Sequence, residues 1–400
     1  MMTRGIHVGR LFGVEVVLDW SLLIIFALVT MSLGAGALPM WHPDWGAGVV
    51  WLTAVASAAL FLVSVLLHEL SHALTGRAFG ISVPRITLFV FGGVAQMEDE
   101  PTGWKAEFWM ALAGPLTSVA LGAIFLGLGF VVAGPLPPVD VAPEMFVRSL
   151  SPLATILFWL GPLNFVLALF NMVPGFPLDG GRVLRALIWG ATGDLTRATR
   201  MASNGGRLFA AILIATGFAM ALGIQVPFFG SGLLGGLWLA LIGWFLNNAA
   251  VMSYRQLLIR ESLGDVTVER VMNIDVRSLP PGLPIKTFVD DHLLRSDQRA
   301  YPVVEAGRLL GLVSMRDVYK IPRADWEGHT IAEIMTPTEA LVSIRPSASA
   351  YDAIHALNAR ALNQLPVVED GIVKGMIRRE DILRWLSIYG DGRLRAPIEA

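Results

Sequence analysis

The 400-residue chain contains no cysteine, which excludes disulfide frameworks and thiolate metal sites alike. Any metal held here must take its ligands from histidine and carboxylates. Charge is scarce as well. Asp, Glu, Lys and Arg make up 16% of the residues, against about a quarter in ordinary soluble domains. The net charge is −2 and no run of Lys or Arg forms a basic cluster, so no nucleic-acid partner is expected. Nor does the N-terminus read as a cleavable leader. Arg4, Arg10, Glu15 and Asp19 precede the first apolar run, with no clean small-residue cleavage site after it. That run is expected to stay as a membrane span.

What is plentiful is apolar sequence, 54% of the chain, and it is unevenly placed. Up to about Tyr254 long apolar stretches dominate; beyond it charged residues return to soluble density. A span needs about 20 mainly apolar residues. Six segments qualify: Trp20–Ala37, Ala47–Thr75, Trp104–Ala133, Val147–Val173, Leu208–Ile224 and Leu233–Met252. The expected fold is a polytopic α-helical membrane protein with a cytosolic α/β region after it. Loop charges orient the bundle. Arg4 and Arg10 precede the first span, and Arg77, Arg85 and Lys105 lie between the second and third. Arg182, Arg185, Arg197, Arg200 and Arg207 lie between the fourth and fifth, and Arg255 and Arg260 follow the sixth. The alternate loops, Leu38–Gly46, Gly134–Met145 and Gln225–Gly232, contain no Lys or Arg. The positive-inside rule then predicts a plasma-membrane protein with both termini in the cytoplasm.

The charged tail repeats itself. Val268-Glu-Arg-Val-Met272 is answered by Ile331-Ala-Glu-Ile-Met335, and Tyr301-Pro-Val-Val-Glu305 by Leu365-Pro-Val-Val-Glu369. Gly311–Asp317 is answered by Gly375–Asp381. Short β-branched runs alternate with amphipathic helical stretches such as Ala350–Ala361, an α/β unit used twice.

The second span carries His68-Glu69-Leu70-Ser71-His72. On a helix, residues four apart lie about 40° apart on one face, so His68 and His72 can grip one Zn²⁺. Zinc supplies the Lewis acidity that makes a water acidic near neutral pH, and Glu69 borders the face as its general base. The motif follows about nineteen residues, Val49 to Leu67, without an ionisable group. Three ionisable groups at the end of such a stretch are costly unless they line a polar cavity.

A catalytic zinc takes three protein ligands and keeps one position open. Asp179 is the only acidic residue between Glu144 and Asp194. It follows the fourth span, in Asn171-Met-Val-Pro174-Gly-Phe-Pro177-Leu178-Asp179-Gly180-Gly181-Arg182. The prolines end the helix and the Gly pair permits a tight turn. Alone, Asp-Gly-Gly reads as a loop turn. At the same cytoplasmic face as the histidine pair it reads as the third ligand.

These paired motifs resemble the site-2 protease family of intramembrane zinc metalloproteases, over the membrane region from Gly5 onward. Gly92-Gly93-Val94-Ala95-Gln96 and Ala113-Gly114-Pro115-Leu116 belong to the likeness. The resemblance implies one zinc per chain held by His68, His72 and Asp179, with Glu69 as catalytic base and Asn171 near the substrate carbonyl. Phe91–Met97 is expected to be a re-entrant extended segment. There Gly92, Gly93, Val94 and Ala95 would hold an unwound substrate by backbone pairing. The implied substrate is a transmembrane protein, such as an anti-sigma factor or a similar signalling protein, in contact with membrane lipid.

The tail resembles a tandem CBS pair over about Asp265–Ser387. Such pairs associate as dimers and many bind adenine nucleotides, which implies a homodimer and a nucleotide at Ser314, Asp317 and Asp381. Ser314-Met-Arg-Asp317 matches the family's ribose motif, whereas Arg378 replaces the hydroxyl residue in the second copy. The domains expected are 1–255 protease, 256–264 linker, 265–326 and 327–388 CBS repeats, and 389–400 tail. The linker is short, so the tail is expected close to the zinc and its ligand is expected to modulate proteolysis. Two rivals stand beside this reading. A prenyl-protein type membrane metalloprotease would need a Glu as third ligand, and no suitable one follows the motif. A CBS-regulated transporter using the same His pair as an ion site would not depend on proton abstraction by Glu69. The remaining histidines, His7, His42, His292, His329 and His355, have no ligand spacing.

Overall fold

The computed structural model describes residues 5–97, 101–134, 143–227 and 230–389. Arg4, most of the 134–145 loop and the tail beyond Tyr389 lie outside the described residues. The chain divides into two compact units, Met1–Tyr254 and Arg255–Ala400.

The first unit opens with a hairpin, β1 (Gly5–Leu11) and β2 (Val14–Asp19). Among the described residues six apolar helices long enough to cross a membrane follow: α1 (Leu22–Trp41), α2 (Ala47–Ala78), α3 (Trp104–Ala133), α5 (Pro152–Asn171), α7 (Leu195–Ala221) and α8 (Leu233–Gly264). The protein is a multi-pass membrane protein. Among the described residues two strands, β3 (Arg85–Phe89) and β4 (Gly92–Gln96), and two shorter helices, α4 (Pro143–Ser149) and α6 (Asp179–Thr192), lie between them. Large apolar side chains such as Leu52, Val131 and Leu169 are more than two-thirds exposed. In water so much exposed apolar surface would drive association; against hydrocarbon it costs nothing.

The helix limits depart most from those expected by hydropathy at the fifth and sixth helices, while the fourth begins at Pro152 rather than Val147. The fifth apolar helix begins at Leu195 rather than Leu208. Gly193, in the left-handed region at φ 72°, ends α6, and the Asp194 carboxylate then accepts from the Arg197 N–H at 2.8 Å to cap α7. That stop and start are written in local chemistry, which a hydropathy window averages away. The sixth helix runs on to Gly264, so 256–264 is helical.

The strands were not expected at the N-terminus. They form one sheet of order β1-β2-β3-β4. β2 and β3 pair in parallel, from Glu15 opposite Arg85 to Leu18 opposite Leu88, and Arg85 Nε donates to the Glu15 carboxylate at 2.8 Å. The Arg85 side chain lowers the Glu15 pKa chiefly through that hydrogen bond. The buried side of the sheet, with Val14, Ile86 and Leu88, packs with Leu70 and Ala73 of α2. β4 is the last strand in the order and leaves one edge unpaired among the described residues.

The second unit is two antiparallel hairpins with the same construction. β5 (Ala300–Glu305) pairs β6 (Arg308–Ser314), and β8 (Gln364–Glu369) pairs β9 (Ile372–Arg378). β7 (Thr336–Pro337) adds to β6. Both hairpins shift register at the same place, Val303/Val304 and Val367/Val368. Both turn through two residues of positive φ, Ala306-Gly307 and Asp370-Gly371, the backbone that a tight hairpin favours. Short helix α9 (Met315–Val318) follows β6; α10 (Ala350–Ala359) precedes β8 and α11 (Arg379–Tyr389) follows β9. The two cores do not follow the sequence repeats. Val266 and Val268 bury with Leu357, Ile377 and Ile382 of the second copy, while Ile331 and Ile334 bury with Phe288 and Tyr301 of the first. Each copy lends its leading segment to the other.

Candidate active site

Four segments of the first unit meet at one point. His68 and His72 lie one turn apart on α2, 3% and 7% exposed, with Nε2 atoms 3.2 Å apart. Asp179, the first residue of α6, brings Oδ2 to 3.1 Å from His68 Nε2 and 3.2 Å from His72 Nε2. Among the described residues this is the one cluster of three or more His or acidic groups able to hold a metal.

The fit to zinc can be tested on these distances. A tetrahedral ion with bonds of about 2.0–2.1 Å places its ligands about 3.3 Å apart, and the three observed separations lie within 0.2 Å of that. The outer edges of the rings agree. His72 Nδ1 donates to the Met110 carbonyl at 2.6 Å; a carbonyl only accepts, so the neutral ring turns its Nε2 lone pair inward. His68 Nδ1 lies 2.9 Å from the Ser118 hydroxyl. Such partners fix ring orientation and raise ligand basicity. Two imidazole lone pairs and a carboxylate oxygen facing one another repel unless a cation sits among them. A Cβ built at Gly114 would fall 2.2 Å from His72 Nε2 and 2.6 Å from His68 Nε2, so only glycine leaves that cradle open. The residues fit a zinc ion.

Glu69 does not join the triad. Its side chain lies against β4, where a Cβ on Gly93 would come within 2.3 Å of its Cγ. Gly92, Gly93, Val94 and Ala95 are all in β4, and Val94 is 53% exposed. Asn171 ends α5 and its Nδ2 donates to the Leu167 carbonyl of its own helix at 3.0 Å; it makes no hydrogen bond to the triad. The loop between α5 and α6 is seated by residues that carried no functional signal in the sequence. A Cβ at Gly206 of α7 would lie 1.9 Å from the Phe176 carbonyl oxygen, and one at Gly205 2.3 Å from that of Pro174. The Gly pair inside an apolar helix was the available clue.

The family-model scan matches "Peptidase family M50" over residues 56–216 and "CBS domain" over 268–323 and 331–388. A Mycobacterium tuberculosis protein named as zinc metalloprotease Rip3 is 34% identical, covering 99% of this chain and 95% of its own. The chain belongs to the site-2 protease family of zinc metalloproteases. A Synechocystis protein, sll0528, also named as a zinc metalloprotease, is 34% identical over 96% of both chains. Zinc metalloprotease MJ0392 of Methanocaldococcus jannaschii is 27% identical over 97% of both. The protein is therefore a membrane metalloprotease with a tandem CBS region, in a family that acts on membrane proteins.

In the CBS region the three residues expected to hold a nucleotide are engaged with near neighbours. Asp317 Oδ2 accepts from the Ser314 N–H at 2.8 Å and hydroxyl at 2.7 Å, and Lys320 pairs with Oδ1 at 2.8 Å. Asp381 is forked by Arg378, with Nε 3.1 Å from Oδ2 and Nη2 3.0 Å from Oδ1. A cavity of about 120 Å³ opens between the copies, lined by Ser278, Pro302, Val304, Ile372 and Lys374 among others. It reaches none of the three residues, and it is smaller than the roughly 300–1,000 Å³ typical of small-ligand sites.

Proposed function

We propose that this site-2 protease binds one zinc through His68, His72 and Asp179. It would cleave peptide bonds in transmembrane segments of other membrane proteins, near the cytoplasmic face. One observation carries the reading: three ligand atoms at tetrahedral spacing stand beside a separate carboxylate, Glu69, backed by an edge strand.

Zinc, when bound, supplies the Lewis acid that polarises the scissile carbonyl and acidifies a water. The chain's own groups do the rest. Glu69, held out of the ligand set by the backbone at Gly93, takes the proton from the attacking water and returns it to the leaving amine. A helical substrate hides its carbonyls in intrahelical bonds, so it must unwind before attack. The free edge of β4 offers ladder partners to the unwound segment, and Gly92, Gly93, Val94 and Ala95 would line it. Asn171 would turn from Leu167 toward the substrate carbonyl once a peptide is present.

Both termini would face the cytoplasm. Reporter fusions at Leu195 and after Tyr389 are expected inside, and one at Asp44 outside. Two further natural fusion points, Glu98 and Val139, lie outside the described residues. The CBS pair would bind an adenine nucleotide at the first copy, associate as a homodimer and modulate cleavage. Purified protein mixed with single-span substrates should cleave them, lose activity to a chelator and regain it with zinc. Cleavage that survives full metal removal would overturn the metalloprotease mechanism.

A further inference from the structure

Glu107 lies in the first turn of α3, an apolar helix, and is 1% exposed. Its Oε1 accepts from Arg185 Nε at 2.6 Å and also from Arg185 Nη2. Its other oxygen, Oε2, has no partner among the described residues. Among the described residues Arg185 is the one hydrogen-bonding partner of this carboxylate side chain. The Arg185 guanidinium also lies over the Phe176 ring, 5.2 Å from its centroid. Phe176 is itself buried, in the loop that leads into α6.

The placement along α3 gives the pair its meaning. Glu107, Met110, Gly114 and Ser118 follow at spacings of three, four and four, which is one face of a helix. Met110 holds His72, Gly114 leaves room for both imidazoles, and Ser118 meets His68. The same face that orients both histidines thus begins with the anchor for Arg185. Arg185 stands six residues, about 9 Å of helix, beyond Asp179 on α6.

We infer that Glu107 and Arg185 are a positioning pair for the metal: they set the register of α6 on α3 and so the distance of Asp179 from the two imidazoles. A buried ion pair is weak evidence for stability, because apolar residues of similar volume often hold a fold as well. Apolar contact is non-directional, so it would keep the helices together without fixing their register. Two N–H groups converging on one carboxylate oxygen do fix it. Phe176 extends the same restraint to the loop ahead of Asp179.

The inference rests on the metal reading, and the experiment separates the two. The full chain in detergent is titrated with Co²⁺, following the visible ligand-field bands, and its apo form is melted. Glu107→Leu combined with Arg185→Met removes both charges and leaves no unpaired buried charge at that position, so the apo melting temperature should stay near that of the wild type. Co²⁺ affinity is expected to fall about 10–100-fold, the usual scale for groups that orient ligands, with altered band intensities. Arg185→Lys, which keeps charge but loses the fork, should show the same spectral change in milder form. Wild-type affinity and spectrum in the double variant would overturn the inference while leaving the metal site standing. A wild type that binds no Co²⁺ would overturn the metal reading and this inference with it.

Discussion

The two units use their buried polar groups in opposite ways. In the membrane unit, partners come from far apart in the chain: His68 and Asp179 are separated by 111 residues, His68 and Ser118 by 50, and His72 and Met110 by 38. In the CBS unit the polar contacts at the matching acids are three residues long, Ser314 with Asp317 and Arg378 with Asp381. The same habit closes α10, where Ser349 and Asp352 cap each other. Convergence from distant segments makes a site whose geometry depends on the whole bundle. Local boxes satisfy each acid within its own copy, so the partner of that acid can change without leaving the acid unpaired. The second CBS copy shows this, since Arg378 replaces a hydroxyl and the Asp remains satisfied.

The largest effects should therefore come from single changes in the membrane unit. Glu69→Gln is expected to lower cleavage by about 10²–10⁴-fold, the range for a lost general base, with metal content unchanged by elemental analysis. Retained cleavage in that variant would break the assignment. His68→Ala, His72→Ala and Asp179→Ala should instead lose metal, each removing one of three ligands. Full occupancy in Asp179→Ala would mean that another group completes the site.

Two glycines sharpen the comparison further, because each added methyl meets a different part of the site. Gly114→Ala drives a Cβ between the imidazoles and should weaken metal binding by about 10–100-fold, the scale for disturbed ligand orientation. Gly93→Ala drives a Cβ into Glu69 and should cut cleavage while metal content holds. Were both variants to lose metal equally, the base and the ligand set would not be separable in space.

How much of this was legible in the sequence follows from the same contrast. The histidine pair was readable because both side chains sit on one helix at a spacing fixed by helix geometry. Asp179 was readable as the one acid in a long stretch without others. The repeats were readable because each hairpin carries its own turn. Met110 was not, since it acts through a backbone carbonyl that any residue would supply. Ser118 was hidden because one Ser in an apolar helix commonly bonds its own backbone, as Ser57 and Ser64 do here. The N-terminal strands escaped notice because β1 is exposed along nearly its whole length and shows no alternation of buried and exposed positions. Its partner β2 finds β3 seventy residues later, a pairing that no local pattern announces.

The CBS unit should give intermediate effects. In the full chain, AMP, ADP or ATP is expected to shift cleavage by about 5–150-fold, the span of a 1–3 kcal/mol coupling, and Asp317→Ala should weaken binding. Arg378→Ser frees Asp381 from its fork and should add a second binding event by calorimetry. A single event in that variant would mean that the fork is not what closes the second copy. No binding of any of the three at millimolar concentration would leave the CBS pair as an association module.

The smallest effect is the most local. At the start of α10 the Ser349 side chain accepts from the Asp352 N–H at 3.0 Å, and Asp352 accepts from the Ser349 N–H at 3.3 Å. Ala350, Ala353 and Leu357 of the same helix are fully buried in the second core, so the helix is held by packing as well as by its cap. Ser349→Ala removes one of these two bonds and leaves one N–H of the first turn unpaired. Caps of this kind contribute about 0.5–2 kcal/mol, and packing should hold the loss toward the lower end. The measurement is a denaturant midpoint read from Trp385, which packs against that same core, taken beside the metal content of the same sample. The midpoint should fall with metal content constant. A loss of metal from so local a change would mean that the two units share their stability, and the contrast between convergent and local construction would fail.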